Sequence, residues 1–220
     1  MLDHTIVKIQ TEQPVKAHGN SLRGYIADNF PQYDILHNHK KDGKLLYLYP
    51  RVQYKILNGE AYIIGLEEGV EIVREIEPQI ETIIVKYETY QVKRKQSIFE
   101  KIRFGPENYF IKYLFLKPWL ALNEDNYDHF MGLKKTTLKD SLLKKILIGN
   151  ILSMSKSLGF IVEQEIKIKS INFREKKVFL KGTPMLGFLG TFSVNFEIPD
   201  YWGIGKSVSR GFGTVKRVQG

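Results

Sequence analysis

Asn58-Gly59 constrains this chain more than any other pair of residues. Asn-Gly between two apolar runs is the preferred filling of a two-residue hairpin turn, because both central residues of that turn take positive φ. The flanking runs, residues 45–57 and 61–66, therefore read as paired strands. Upstream, residues 5–12 alternate as a strand that Pro14 ends. A helix follows from Ser21, with Leu22, Tyr25, Ile26 and Phe30 three or four residues apart and Pro31 as its stop. Downstream, residues 67–77 form a short acidic helix with Val70, Val73 and Ile76 on one side, and residues 82–87 form a closing strand.

That order, βαββαβ, is a ferredoxin-like (RRM-like) unit, a motif shared by many RNA-binding domains. The second half begins in the same way. A strand over residues 110–116 ends at Pro118, and a long helix over residues 138–158 carries Leu142, Ile146, Gly149, Leu152 and Met154 among basic residues, with Gly159 as its C-terminal cap. Strands are expected at residues 162–173, 177–181 and 188–196. Where a second helix is due, the chain turns glycine-rich, and residues 214–218 read as the last strand. The expected fold is α+β: two tandem ferredoxin-like domains, residues 1–108 and 109–220, the second lacking a regular second helix. No internal sequence repeat supports the duplication, which rests on element order.

The formal charge of +9 is unevenly spread. Residues 1–110 hold 15 Lys+Arg and 15 Asp+Glu, residues 111–220 hold 18 and 9, so the excess lies wholly in the second half. A polyanion is drawn to such a half, because each neutralised phosphate releases counterions; lysines that only keep a surface solvated leave the same signature. The absence of cysteine excludes a disulfide framework, a thiolate metal site and a cysteine nucleophile. No run approaches the roughly 20 apolar residues of a membrane span. The start, Met1 to Lys8, alternates polar and apolar residues and lacks the basic-then-apolar form of a signal peptide, so the mature chain is expected to start there, in the cytoplasm and without a membrane partner.

Two segments carry residues suited to chemistry. The first is Gly203-Ile204-Gly205-Lys206-Ser207-Val208-Ser209-Arg210-Gly211-Phe212-Gly213. Gly203, Gly205, Gly211 and Gly213 permit positive φ and close approach of backbone to a ligand, so that successive amides can face phosphate oxygens. Lys206, Ser207, Ser209 and Arg210 add charge and hydroxyl donors. A Walker A loop is excluded, since Gly205-Lys206-Ser207 would need glycine where Asp200 stands, and too little chain follows. The competing reading is a tight glycine turn between strands.

The second segment is Leu36-His37-Asn38-His39-Lys40-Lys41-Asp42-Gly43-Lys44. In an extended stretch, residues two apart project to one side, so His37 and His39 can face one phosphate. Imidazole titrates near pH 6.5, which lets one ring accept a proton while another donates one. RNA cleavage needs both roles, at the 2′-hydroxyl and at the departing 5′-oxygen, and Lys40 and Lys44 can hold the phosphate between them. The three letters His-Asn-His do not make the metal-dependent nuclease motif of that name, whose residues are dispersed over a ββα unit. An ordinary surface loop and a metal site remain as alternatives, although His4, His18 and His129 have no ligand spacing with the pair. No metal and no cofactor are expected.

Three further features have a functional reading beside a structural one. Tyr47 and Tyr49 alternate with Leu46 and Leu48, and an exposed tyrosine pair stacks on bases where a buried pair only packs. Lys93-Arg94-Lys95, with Lys101 and Arg103, reads as a solvated loop or strand edge or as a set of phosphate contacts. His18 and Arg23, at the start of the first helix, suit an anion or a capping role.

Residues 25–55, above all Phe30-Pro31-Gln32-Tyr33-Asp34-Ile35-Leu36-His37-Asn38-His39 and Tyr49-Pro50-Arg51-Val52-Gln53-Tyr54-Lys55, resemble the N-terminal signature of the b subtype of the CRISPR repeat-cleaving endoribonucleases. The Gly203 to Gly213 spacing resembles the signature loop of the repeat-associated RNA-binding superfamily of CRISPR systems. The similarity extends through Ile148-Gly149-Asn150-Ile151-Leu152 and so covers nearly the whole chain. It implies two ferredoxin-like domains, cleavage of CRISPR repeat RNA without metal, and ends bearing a 2′,3′-cyclic phosphate and a 5′-hydroxyl. It implies His37 and His39 as the catalytic pair, while members differ in their auxiliary lysine, tyrosine or arginine and none is matched here. Repeat RNA is the implied partner, with other subunits of a CRISPR effector complex and a second copy of the chain as further candidates. The alternative within the superfamily is a non-catalytic RNA-binding subunit of such a complex.

Overall fold

The chain starts with β1 (Leu2–Thr11), which ends before Pro14 as its sequence predicts, and α1 (Gly19–Asn29) follows with Leu22 and Ile26 buried four residues apart. In the computed structural model, which describes residues 1–37, 48–85 and 87–219, two units are distinguished: Met1–Arg103 with Val208–Gly211, and Phe104–Ser207 with Phe212–Gly220.

The first unit continues with α2 (Asp34–His37), β2 (Val52–Leu57), β3 (Glu60–Leu66), α3 (Glu68–Ile76), β4 (Thr82–Val85) and β5 (Glu88–Ile102). Asn58 and Gly59 take φ of 51° and 82°, and Leu57 pairs with Glu60 across the turn. The sheet order is β2-β3-β1-β5-β4, every pair antiparallel. Leu22 and Ile26 of α1 and Val73 and Ile76 of α3 share one core with Val7, Ile9, Val52, Tyr54, Ile56 and Ile63. Each such side chain contributes about 1.5–3 kcal/mol by leaving water.

Two expectations for this unit are corrected. The closing strand is only β4; the strand beside β1 is β5, so the basic run Lys93 to Lys95 lies within a strand, where Lys95 donates to the carbonyls of Glu77 and Pro78 at 2.7 and 3.1 Å. Lys101 pairs with Asp3 at 2.9 Å. The second strand begins at Val52, because Pro50 has no N–H to give a ladder. Tyr49 therefore precedes the strand, half-buried, and the alternation that would expose it beside Tyr47 does not apply; Tyr47 lies outside the described residues.

The second unit holds β6 (Gly105–Trp119), α4 (Glu124–Gly132), α5 (Thr136–Ser157), β7 (Ile168–Leu180), β8 (Thr183–Glu197) and β9 (Val215–Arg217), in sheet order β7-β8-β6-β9. β6 runs through Pro118 instead of stopping there, and the ladder to β8 shifts register between Phe115 and Trp119 to accommodate it. Helix α4 was not anticipated; Asn123 caps it, its side chain accepting the Asn126 N–H at 2.8 Å. On α5 the buried stripe is Leu143, Leu147, Ile151 and Met154, one residue out of phase with the expected Leu142 and Ile146. β7 and β8 form one long hairpin in place of three short strands, turning at Lys181-Gly182 with φ of 51° and 84°. The core is aromatic: Phe115 stacks on Trp119 with centroids 5.5 Å apart, and Phe188, Phe192 and Phe196 are buried.

The fold is α+β, with two tandem ferredoxin-like domains. In the second, the place of the second helix between β8 and β9 is taken by an irregular segment, whose one turn of helix, Val208–Arg210, is grouped with the first unit. No helix among the described residues is long and apolar enough to cross a membrane.

Candidate nucleic-acid interface

The glycine-rich segment is closed at its base by its own backbone. Gly203 and Thr214 form an isolated antiparallel bridge, and the Ile204 N–H donates to the Gly213 carbonyl at 3.0 Å. Gly213 in turn donates to Pro118 at 2.9 Å with φ of 63°, and a side chain there would strike the Ile204 carbonyl. Gly205, with φ of 87°, lies against the indole of Trp119. These glycines answer to the packing of the segment itself, which is the tight-turn reading of the motif; the donors they carry between them are a separate matter.

Those donors differ in exposure. Lys206 is exposed, with its N–H held by the Leu120 carbonyl at 3.2 Å. Ser207 is half-buried at φ 60°, Ser209 is buried, and Arg210 is half-buried. Within the first unit, Val208–Gly211 packs along β2, which is an edge strand of its sheet, and against the start of α1. Gly19 marks the meeting point: a side chain on it would collide with the Tyr54 carbonyl and lie 2.8 Å from that of Arg210. Covering an edge strand in this way blocks pairing with other chains.

A cationic cluster results. Burial lowers the pKa of the Arg23 guanidinium, and repulsion from Arg210 lowers it further; burial also lowers that of Arg210. The Tyr54 hydroxyl, fully buried and without a hydrogen-bond partner among the described residues, has its pKa pushed upward by that burial. Two guanidiniums close enough to repel at partial desolvation have the chemistry to share an anion. His18 is exposed at the N-terminal boundary of α1, and its side chain does not cap the helix, which removes the capping reading.

Sequence reasoning assigns no site role to Lys55. It is fully buried in β2, where its ammonium donates to Gln53 Oε1 and to the Val208 carbonyl, each at 3.0 Å. Burial brings its pKa down to about 7. The available signal was a Gln and a Lys alternating with Val52, Tyr54 and Ile56 in a strand buried on both faces.

The catalytic candidates have a different standing. His37 closes α2, and its side chain, together with His39, Lys40 and Lys44, lies outside the described residues. Among the described residues no three His, Asp or Glu side chains converge as metal ligands.

Comparison with known proteins covers both domains. Models of the Cas6b N-terminal and C-terminal domains match residues 1–102 and 105–218. A crystal structure of Cas6b is 35% identical over 99% of both chains, with a TM-score of 0.89. A crystal structure of the CRISPR RNA processing endoribonuclease Cas6b is 34% identical over 98% of this chain and 100% of that one, with a TM-score of 0.76. The uncharacterized protein MJ0978 of Methanocaldococcus jannaschii is 44% identical over 145 residues, which are 66% of this chain and 98% of that protein.

Proposed function

The chain belongs to the Cas6b family, and from that membership we propose that it is an endoribonuclease that cuts CRISPR repeat RNA to mature guide RNAs. The observation that carries this reading is the 34% identity, over both domains, to a protein described as a CRISPR RNA processing endoribonuclease.

The proposed chemistry uses His37 and His39 as the acid–base pair and no metal. One imidazole takes the proton of the 2′-hydroxyl; that oxygen attacks the adjacent phosphorus, the bond from phosphorus to the 5′-oxygen breaks, and the other imidazolium protonates the departing oxygen. The products end in a 2′,3′-cyclic phosphate and a 5′-hydroxyl. Lys40 and Lys44 neutralise the phosphate as charge grows on it. Segment 203–213 holds the RNA backbone through Lys206, Ser207, Ser209, Arg210 and the main chain around Gly203, Gly205, Gly211 and Gly213, and the convergence of Arg23 with Arg210 supports that role. Beyond the repeat RNA, other subunits of a CRISPR complex and a second copy of the chain are its proposed partners, to be read from the mass of the RNA-bound particle.

A repeat RNA with one 2′-deoxy nucleotide immediately 5′ of the cut tests the mechanism. It should bind normally and resist cleavage, and cleavage of the all-ribose RNA should persist in excess EDTA. Cutting of the deoxy substrate at the same bond excludes 2′-hydroxyl attack; loss of activity in EDTA, restored by a divalent ion, excludes the metal-free route. Tight binding with no cutting of the all-ribose RNA would point to a non-catalytic subunit instead.

A further inference from the structure

Lys55 occupies a position where a lysine cannot reach water. Gln53 and Lys55, two residues apart on one face of β2, are both fully buried. A lysine near a surface snorkels its ammonium to solvent. This one is directed to Gln53 Oε1 and the Val208 carbonyl, and among the described residues both hydrogen-bond partners are neutral. A buried ammonium without a carboxylate is expensive, as its lowered pKa records, and an apolar side chain of the same length would avoid that cost. What the lysine adds is a tether. The Val208 carbonyl also accepts the Gly211 N–H at 3.0 Å, which closes the turn that carries Arg210, so Lys55 fastens the first carbonyl of that turn to β2.

We infer that Lys55 is a positioning residue for RNA: its ammonium fixes the Val208–Gly211 turn on β2 and so presents the Arg210 guanidinium to a phosphate of the repeat. The inference rests on the reading of segment 203–213 as the part that holds RNA. Lys55 itself, sealed from solvent, touches no substrate.

The test is a double-mutant cycle on the full chain. Lys55→Met keeps the length of the side chain and removes the donor; Arg210→Ala removes the guanidinium. The probe is a CRISPR repeat RNA that the wild-type protein cleaves, with a 2′-deoxy nucleotide 5′ of the mapped cut so that binding is read without cleavage. Each single variant should raise Kd about tenfold. The double variant should bind little worse than either one, because the effect of Lys55 runs through Arg210. In single-turnover cleavage of the all-ribose RNA, Lys55→Met should raise the half-saturating concentration and leave the plateau rate unchanged; a general folding defect would lower the active fraction instead. Exchange of the Gly211 amide hydrogen should speed up in Lys55→Met with or without RNA. Additive losses in the cycle, or wild-type Kd and wild-type Gly211 exchange in Lys55→Met, overturn the inference. If Lys55→Met does not fold, Lys55→Gln, whose amide donor is too short to reach Val208, gives the same cycle. A wild-type protein that neither binds nor cuts the RNA sinks the reading of the segment as the grip, and Gly211 exchange then still decides whether the tether exists.

Discussion

The two domains share the order of their first three strands, β2-β3-β1 and β7-β8-β6, and differ in what connects the third strand to the next. In the first, α3 fills that crossover and buries Val70, Val73 and Ile76. In the second, the chain between β8 and β9 is irregular: Ile204 is buried and Lys206 exposed, and the stretch Val208–Gly211 is grouped with the first unit. The topology tolerates either filling, because each sheet already has a helix, α1 or α5, over its core. A crossover without a regular helix still packs, yet it leaves Lys206 exposed, and the excess charge of the chain lies in the half of the sequence that contains it. The shared topology alone does not specify what such a segment does.

If the first domain holds the chemistry and segment 203–213 the grip, the largest effect is expected at the histidines. His37→Ala and His39→Ala should each slow cleavage by about 10²- to 10⁴-fold, as for a lost general acid or base, with little change in binding. The rate should be bell-shaped in pH around neutrality, since one ring must be neutral while the other is charged. Full activity in the double histidine variant would move the chemistry out of the first domain and break the comparison.

A smaller effect sharpens it from the side of stability. His4 in β1 is buried, and burial lowers its pKa from 6.5 to about 4. Glu100 lies 3.8 Å from its Nδ1 and favours the imidazolium, but that carboxylate is half exposed and screened by water, so desolvation prevails. Between those two pKa values the unfolded chain takes up a proton that the folded chain refuses, so stability falls as pH drops from about 6.5 to about 4 and is complete above that window. The loss is about 3 kcal/mol in the limit. His4→Gln should flatten the dependence, measured by urea unfolding at pH 7 and at pH 4.5. Both tryptophans, Trp119 and Trp202, belong to the second unit, so far-UV circular dichroism is the signal to follow. An unchanged acid dependence in His4→Gln would assign the effect to other groups.

The legible parts of this fold are those with a local signal. The Leu22/Ile26 face of α1 and the Val70/Val73/Ile76 face of α3 could be read because each buries one side only, and the hairpin, buried on both faces, because Asn58-Gly59 marks its turn. β5 was missed because the stretch from Gln96 to Lys101 is exposed on both faces and shows no alternation. α4 was missed because Phe130 is its one buried side chain, although Asn123 followed by Glu124 and Asp125 was a visible start signal. The stripe of α5 was misplaced by one residue because Leu142-Leu143 and Ile146-Leu147-Ile148 offer apolar residues on neighbouring faces. At the site, the histidine pair and the glycine spacing are local patterns and can be seen in a sequence. The tie from Lys55 to Val208 spans 153 positions and is created by folding, so no local pattern announces it.

The smallest expected effect separates two kinds of cation within the segment. Lys206 is exposed and stays hydrated, so its contact with a phosphate is mainly one of released counterions. Arg210 is half-buried and its charge already lowers the pKa of Arg23, so a phosphate held there would relieve that repulsion. Lys206→Ala should therefore flatten the plot of log K against log salt by about 0.7, the value of one single-stranded phosphate contact. Its affinity loss should fade at high salt. Arg210→Ala should flatten the slope by a similar amount but retain an affinity loss at high salt, since a desolvated, bidentate contact with phosphate is screened less than an exposed charge. Titrations of the non-cleavable repeat RNA between low and high salt check both. If neither variant alters the slope, the segment is a turn of the second domain and nothing more, and the contrast drawn between the two crossovers loses its functional meaning.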